Sequence, residues 1–242
     1  MISKDGQIGR IDVHAHLLPG IDDGCSDWSE AIACARMLVD AGYTHAFCTP
    51  HIWPSLPGND LSTIARKTDE LQQQLERAQV PLQVLPGGEL NLRASMHVGH
   101  DDRLLTYGLK GKYCLFDLWA DRLPEFFEDS VRFLQGQGLK VIMAHPERMR
   151  AVQDDPMLVE RFLEMGLLLQ GNLQCFSDPQ SSLTRVTVER FLREDRYFLL
   201  GTDTHKPLTL PPRLKGLEMA TELGGEALIR RLTIENPGKL LE

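Results

Sequence analysis

Residues 10–24 read RIDVHAHLLPGIDDG. A short strand-forming run, Arg10 to Val13, delivers His14 and His16 into a loop of turn formers that carries Asp22 and Asp23. Spacing of i,i+2 puts both imidazoles on one face of an extended chain. The LLPGIDDG loop is rich enough in turn residues to bring Asp22 or Asp23 back towards them. The same plan recurs downstream, with a short apolar run followed by a longer amphipathic stretch: Thr44 to Thr49 precedes Leu61 to Ala78, as Arg10 to Val13 precedes Trp28 to Ala41. Further strand candidates are Leu82 to Leu85, Tyr113 to Leu118, Lys140 to Ala144, Leu167 to Gln170 and Tyr197 to Leu200, which makes seven. Helical periodicity marks 129–138, 154–166, 181–195 and 213–225. Strands alternating with helices predict an α/β fold, a distorted or incomplete barrel of seven parallel strands. Residues 91–112 carry weak signals and read as a short helix and a loop over the barrel mouth. No linker or internal repeat divides the chain, so residues 1–242 are read as one domain.

Composition narrows the function. In 242 residues, 26 Lys and Arg stand against 34 Asp and Glu, a formal charge of −8, which argues against a broad nucleic-acid surface. No run of about 18 apolar residues occurs and the N-terminus lacks a signal-like apolar core, so a cytoplasmic protein without stable membrane insertion is expected. The cysteines at 25, 34, 48, 114 and 175 form no CxxC pair, the pattern of buried thiols in a reducing compartment. A cysteine phosphatase needs C-x5-R, but six residues beyond each cysteine stand Ala31, Asp40, Pro54, Ala120 and Ser181.

Histidines follow the strand ends. His14, His16, His51, His145 and His205 stand at or just beyond the C-terminal ends of strand candidates, with Asp12, Asp22, Asp23, Glu89, Asp117 and Asp203 in related positions. In parallel α/β folds these ends form the functional face. Imidazole nitrogen with carboxylate oxygen suits Mn, Fe or Zn and is too nitrogen-rich for a calcium cage. A multinuclear metal site is the inference, with Glu89 as a carboxylate able to bridge two cations. Asp117 sits in the apolar run YCLFDLW, where an unpaired charge is costly and coordination would relieve it. Asp203 and His205 repeat the DxH spacing of Asp12 and His14. Phe47, Trp53 and Trp119 are aromatic candidates for the mouth, with core packing as the commoner fate of such residues.

The ordered set DVHAHLLPGIDDG, TPHIW, PGGEL, LFDLW, AHPERM, GNLQ and GTDTH, from residue 12 to residue 205, resembles the polymerase and histidinol phosphatase (PHP) superfamily. Within it, the chain resembles the bacterial protein-tyrosine phosphatases of capsular and exopolysaccharide synthesis. The resemblance implies a distorted seven-stranded barrel with three divalent cations, often manganese, with iron, zinc or magnesium as alternatives. By matching motifs, one centre takes His14, His16, Glu89 and Asp203; a second shares Glu89 and adds Asp117 and His145; the third takes Asp23, His51 and His205. Asp117 stands where related proteins commonly have Glu. Arg148 resembles the family arginine that contacts phosphate. Arg213 is the preferred second phosphate-binding residue, with Lys206 the nearer cation, and Asp203 would combine ligation with help to proton transfer.

The implied activity is metal-assisted hydrolysis of phosphotyrosine, on a partner such as an autophosphorylating bacterial tyrosine kinase of polysaccharide export. The competing readings are a phosphoesterase for a small molecule such as histidinol phosphate, a nuclease-like phosphodiesterase, and a non-catalytic regulator that keeps the metals as a structural staple.

Overall fold

The computed structural model describes residues 8–94 and 104–242. Among the described residues there are nine strand segments: β1 (Arg10–Ala15), β2 (Tyr43–Cys48), β3 (His51–Ile52), β4 (Gln83–Pro86), β5 (Glu89–Asn91), β6 (Tyr113–Asp117), β7 (Lys140–Ala144), β8 (Leu168–Asn172) and β9 (Leu199–Gly201). All pairings are parallel, in the orders β1-β2-β4 and β3-β5-β6-β7-β8-β9.

The seven expected strands are present, and two of them are broken. Pro50, which has no N–H, interrupts β2 and β3. The Gly87-Gly88 pair interrupts β4 and β5, and a Cβ on Gly88 would come within 2.8 Å of Ile52 and 2.9 Å of Leu105. Beyond these breaks the two strands pair again, with His51 opposite Glu89 and the Glu89 N–H donating to the Pro50 carbonyl at 3.0 Å. Each break therefore brings a ligand candidate onto the face where the strands end.

The last strand meets the first through a bridge between Ala15 and Thr204. The Asp203 N–H donates to the His14 carbonyl and the His16 N–H to the Thr204 carbonyl, both at 2.7 Å. Asp12, wholly buried, accepts from the Thr202 amide at 3.0 Å and from its hydroxyl, so it braces this junction and stays out of the ligand clusters. Pairing of β1 with β2 slips between Asp12 and Ala15. Across that slip, Ile11 and Val13 fall into an apolar cluster shared among the strands with Phe47, Leu115, Ile142 and Leu199, whereas Ala15 joins the cluster beneath the helices. An extra residue in a strand reverses its facing in this way.

The helices are α1 (Trp28–Asp40), α2 (Leu61–Arg77), α3 (Phe127–Gly136), α4 (Arg150–Asp154), α5 (Leu158–Glu164), α6 (Gln174–Ser177), α7 (Leu183–Arg193) and α8 (Leu210–Gly224), followed by short turns to the C-terminus. Asp27, Asp60 and Ser182 cap α1, α2 and α7 with side-chain oxygens that accept from first-turn N–H groups. The helix expected over 154–166 begins only at Leu158, because Asp155 is extended ahead of Pro156. Of the stretch read as a helix and loop over the mouth, residues 95–103 lie outside those described. Asn91 ends β5, and Tyr107–Leu109 forms a single 3-10 turn whose Tyr107 ring meets Phe47 edge-on at 4.9 Å. Among the described residues no helix is long and apolar enough to cross a membrane.

Candidate active site

The nine ligand candidates converge. Glu89, 1 % exposed, is the hub: Oε2 lies 3.4 Å from His14 Nε2, 3.5 Å from His16 Nε2 and 2.9 Å from His51 Nδ1, while Oε1 lies 3.1 Å from His145 Nε2. Asp203 Oδ1 is 3.5 Å from His14 Nε2 and 3.4 Å from His16 Nε2. Asp23 Oδ1 is 3.4 Å from the Nε2 atoms of both His51 and His205. Three groups of potential ligand atoms result: His14, His16 and Glu89; His16, Asp23, His51 and His205; and His51, Glu89 and Asp117. The second centre thus differs from the expected arrangement, since Asp117 groups with His51 and Glu89, while His145 approaches Glu89 from its other oxygen.

Two observations test whether these residues fit metal ions. The first is the state of the rings. His14 Nδ1 faces Gln170 Oε1 at 2.9 Å, His16 Nδ1 faces Asp22 Oδ2 at 2.7 Å and His205 Nδ1 faces the Asp203 carbonyl at 2.8 Å. All three partners are acceptors, so each Nδ1 carries a proton and each Nε2 faces the cluster, where a metal ion can take the place of its proton. His14 Nε2 and His16 Nε2 are only 3.2 Å apart, a repulsive contact between lone pairs unless positive charge lies against them.

The second observation is a set of buried orphans. Glu89 Oε2, His51 Nδ1 and both oxygens of Asp117 have no hydrogen-bond partner. The short His51 to Glu89 separation is therefore a contact without hydrogen-bond geometry. Burial, then the nearby Glu89 charge, pushes the Asp117 carboxyl up to about 7. Burial would do the same to Glu89 and lower His14, but their mutual attraction wins: Glu89 is held well below the usual carboxylate range and His14 is raised. The field in this pocket recruits positive charge, and a divalent cation answers the same field.

Backbone geometry serves the same end. His145 and Asp203 adopt left-handed conformations, with φ of 34° and 53°, strained for side chains of their kind. His145 is the residue before the 3-10 turn Pro146–Arg148, which swings Arg148 over the site. Arg148 Nη1 donates to Asp203 Oδ2 at 3.0 Å, and its guanidinium carbon lies 5.6 Å from the centre of the Trp119 ring. Arg213, in the first turn of α8, is buried, and its Nε donates to the Asp203 carbonyl at 2.9 Å while Nη1 donates to the Thr209 carbonyl. Arg148, Arg213, Lys206 and Trp119 line one cavity of about 720 Å³ with His51, Glu89, His145, Asp203 and His205. Of the other aromatic candidates, Phe47 is core, and Trp53 packs on the His51 ring at 4.2 Å without lining that cavity. Cys48 and the other cysteines are buried free thiols.

Several supporting residues were given no role by the motifs, although Glu147 lies within AHPERM and Asn172 within GNLQ. Gln170 fixes the His14 ring. Asn172 Nδ2 donates to Asp203 Oδ2 at 2.8 Å, beside Arg148. Glu147 is fully buried, accepting from the Asn172 N–H at 2.7 Å and from the Tyr197 hydroxyl at 2.9 Å, which anchors the turn that bears Arg148. The available signal was polarity in an apolar strand: Gln170 and Asn172 interrupt the run LLLQGN, and buried polar groups need partners.

Residues 10–242 match the family described as capsular polysaccharide synthesis, CpsB/CapC. The tyrosine-protein phosphatase YwqE of Bacillus subtilis is 32% identical over 160 residues, 66% of this chain and 63% of that protein, so the aligned part spans just under two thirds of its length. The tyrosine-protein phosphatase CpsB of Streptococcus agalactiae serotype V is 22% identical over 240 residues, covering 96% of this chain and 98% of that one. A crystal structure from work on YwqE of Bacillus subtilis and CpsB of Streptococcus pneumoniae, described as unique metal-dependent tyrosine phosphatases, superposes with a TM-score of 0.86 at 27% identity, over 96% of this chain and 94% of the other. A phosphotriesterase homology protein from Escherichia coli shares the fold at a TM-score of 0.62 and 11% identity. With the match running from the first residue of β1 to the C-terminus, the chain belongs to the CpsB/CapC family of capsular polysaccharide synthesis.

Proposed function

We propose that this protein is a metal-dependent protein-tyrosine phosphatase, holding three divalent cations, manganese in the first instance, and acting on a tyrosine kinase of polysaccharide export. The observation that carries the reading is the cluster of ring-fixed Nε2 atoms and orphaned carboxylate oxygens at the strand ends, which shares Glu89, Asp203 and His205 with a cavity lined by two arginines. The names of the YwqE and CpsB relatives support the substrate class.

His14, His16, Glu89 and Asp203 would hold one cation; Glu89, Asp117, His51 and His145 surround a second position; Asp23, His51 and His205 a third. Cations bound there supply an acidified water and charge neutralisation for the phosphoryl oxygens. The protein's own part is orientation. Arg213 is locked by two backbone carbonyls, so its guanidinium is presented with little freedom left to lose. Arg148 is the partly exposed member of its pair with the buried Asp203 and can transfer a donor to an incoming phosphate. When it does, Asn172 keeps Asp203 Oδ2 engaged and Oδ1 pointed at the two histidines. Asp203 is held well below the usual carboxylate range, because the attraction of His14, the His16 hydrogen bond and the charges of His16 and His205 outweigh burial. It is therefore a ligand and a poor proton donor, and a phenolate, with a solution pKa of about 10, is a leaving group that needs little acid help.

A panel of phosphotyrosine peptide, phosphoserine peptide, histidinol phosphate and a phosphodiester, each with Mn, Fe, Zn or Mg and parallel metal analysis, tests the reading. Metal-dependent preference for phosphotyrosine is expected. Preference for histidinol phosphate or the diester would overturn the substrate class, and phosphopeptide binding without turnover under every metal would overturn catalysis.

A further inference from the structure

We propose that Trp119 is the specificity-determining residue of this site, the ring that selects aryl over alkyl phosphate esters. The inference rests on the phosphatase reading above.

Trp119 follows Asp117 and Leu118 at the end of β6 and is 65% exposed, an unfavourable place for a large ring that only packs. It lines the cavity that holds the ligand cluster, and among the described lining residues there is no Phe, Tyr or second Trp. Leu118, Ala120 and Met149 line the same cavity and give its wall an apolar stretch, against Asp178, Lys206 and Thr209 elsewhere on its lining. Trp119 also stands at a fixed distance from the phosphate contact. Its ring centre is 5.6 Å from the Arg148 guanidinium carbon, and Arg148 reaches Asp203 at 3.0 Å. A phosphate held by Arg148 puts the ester oxygen within a few ångströms of that guanidinium, and an aryl ring begins at the next atom. Turned towards Trp119, such a ring can reach the ~4.5 to 7 Å centroid separation at which aromatic pairs attract. An alkyl chain at the same place gains neither the ring contact nor the apolar area.

Trp119 also shields one face of Arg148 and lies beside the Asp117 carboxylate, so a bracing role must be separated from a selecting one. Bracing acts on every phosphate ester alike; selection acts on the organic group. The experiment compares the metal-loaded wild type with Trp119→Phe and Trp119→Ala on one peptide sequence bearing phosphotyrosine or phosphoserine. Calorimetric binding of phenyl phosphate and ethyl phosphate is measured in parallel.

Trp119→Ala should lower the aryl-to-alkyl ratio of kcat/KM by about tenfold, chiefly through KM, with the same fall in the phenyl-to-ethyl binding ratio; Trp119→Phe should keep both ratios within about threefold of wild type. Parallel losses on both esters, or an unchanged ratio, would overturn the proposal. If the wild type hydrolyses no phosphomonoester, the phosphatase reading fails, and the phenyl-to-ethyl binding ratio still decides the role of Trp119: a fall in Trp119→Ala upholds selection, and an unchanged ratio overturns it. The exposed position leaves the core untouched, and thermal melts confirm folding of each variant.

Discussion

Glu89 meets four imidazoles and one carboxylate neighbour without a hydrogen bond to its Oε2, an arrangement that only positive charge makes tolerable. Its supporting residues are as informative as the ligands. Gln170→Leu removes the acceptor that fixes the His14 ring, and metal affinity should fall by about 10- to 100-fold in a competition titration; unchanged affinity would show that the ring needs no such orientation. Arg148→Lys keeps the charge and loses the fork. It should lower kcat/KM for a phosphotyrosine peptide by about 10- to 100-fold, the equivalent of one or two charge-assisted bonds, and an effect under about threefold would remove Arg148 from phosphate binding.

Asp117 gives a signed pH prediction for the metal-free protein. Its folded pKa, about 7, stands above the 3.8 of an unperturbed Asp, so the unfolded chain releases this proton first. Stability from this group is therefore full below the unfolded pKa and is lost as pH rises through the window between those values. Asp117→Asn should flatten that loss and raise metal-free stability near neutral pH by on the order of 1–3 kcal/mol in denaturant titrations, while weakening metal binding. An unchanged pH profile would show that Asp117 is already compensated. The motif reading singled out residues that converge in the fold because their types and order are distinctive. It did not reach Gln170, and it quoted Asn172 and Glu147 only as members of motifs, because their roles lie in which atoms they touch across the fold.

Among the elements, strands were readable wherever an apolar run lasted four residues or more, as in Lys140–Ala144, where expectation and structure coincide. The two-residue β3 and three-residue β5 were not, because Pro50 and the Gly87-Gly88 pair break the pattern that defines a strand and their pairing depends on partners distant in sequence. Helix contact shows a similar dependence. In α8 a Cβ on Gly216 would lie 1.8 Å from the Leu173 carbonyl oxygen, so α8 and the start of α6 meet backbone to backbone. Gly216→Ala should destabilise by about 1–3 kcal/mol or more, seen as a lowered melting temperature. It should also displace Arg213, three residues earlier, and so weaken phosphate binding. A melting temperature equal to wild type would mean that the helices part without penalty.

Across the chain, the acidic balance of −8 acquires a local meaning, since part of it is gathered at one end of the strands, where cations, once bound, would reverse the sign presented to a phosphate. A site of this kind contributes to folding only when loaded. Cations at about 1,000 times their Kd add ~4 kcal/mol per site, and a domain of this size shifts by roughly 2–4 °C per kcal/mol, so chelation should lower the melting temperature by about 10 °C or more. No shift would mean that the cluster is preformed and indifferent to metal.

The most direct test of the central claim is metal stoichiometry measured alongside turnover of a phosphotyrosine peptide, as manganese is titrated into chelator-treated protein. The account predicts that activity rises with occupancy to three ions per chain and is lost in His14→Ala and His145→Ala variants that remain folded. Full turnover in the presence of excess chelator, or saturation with manganese and no release of phosphate, would contradict it.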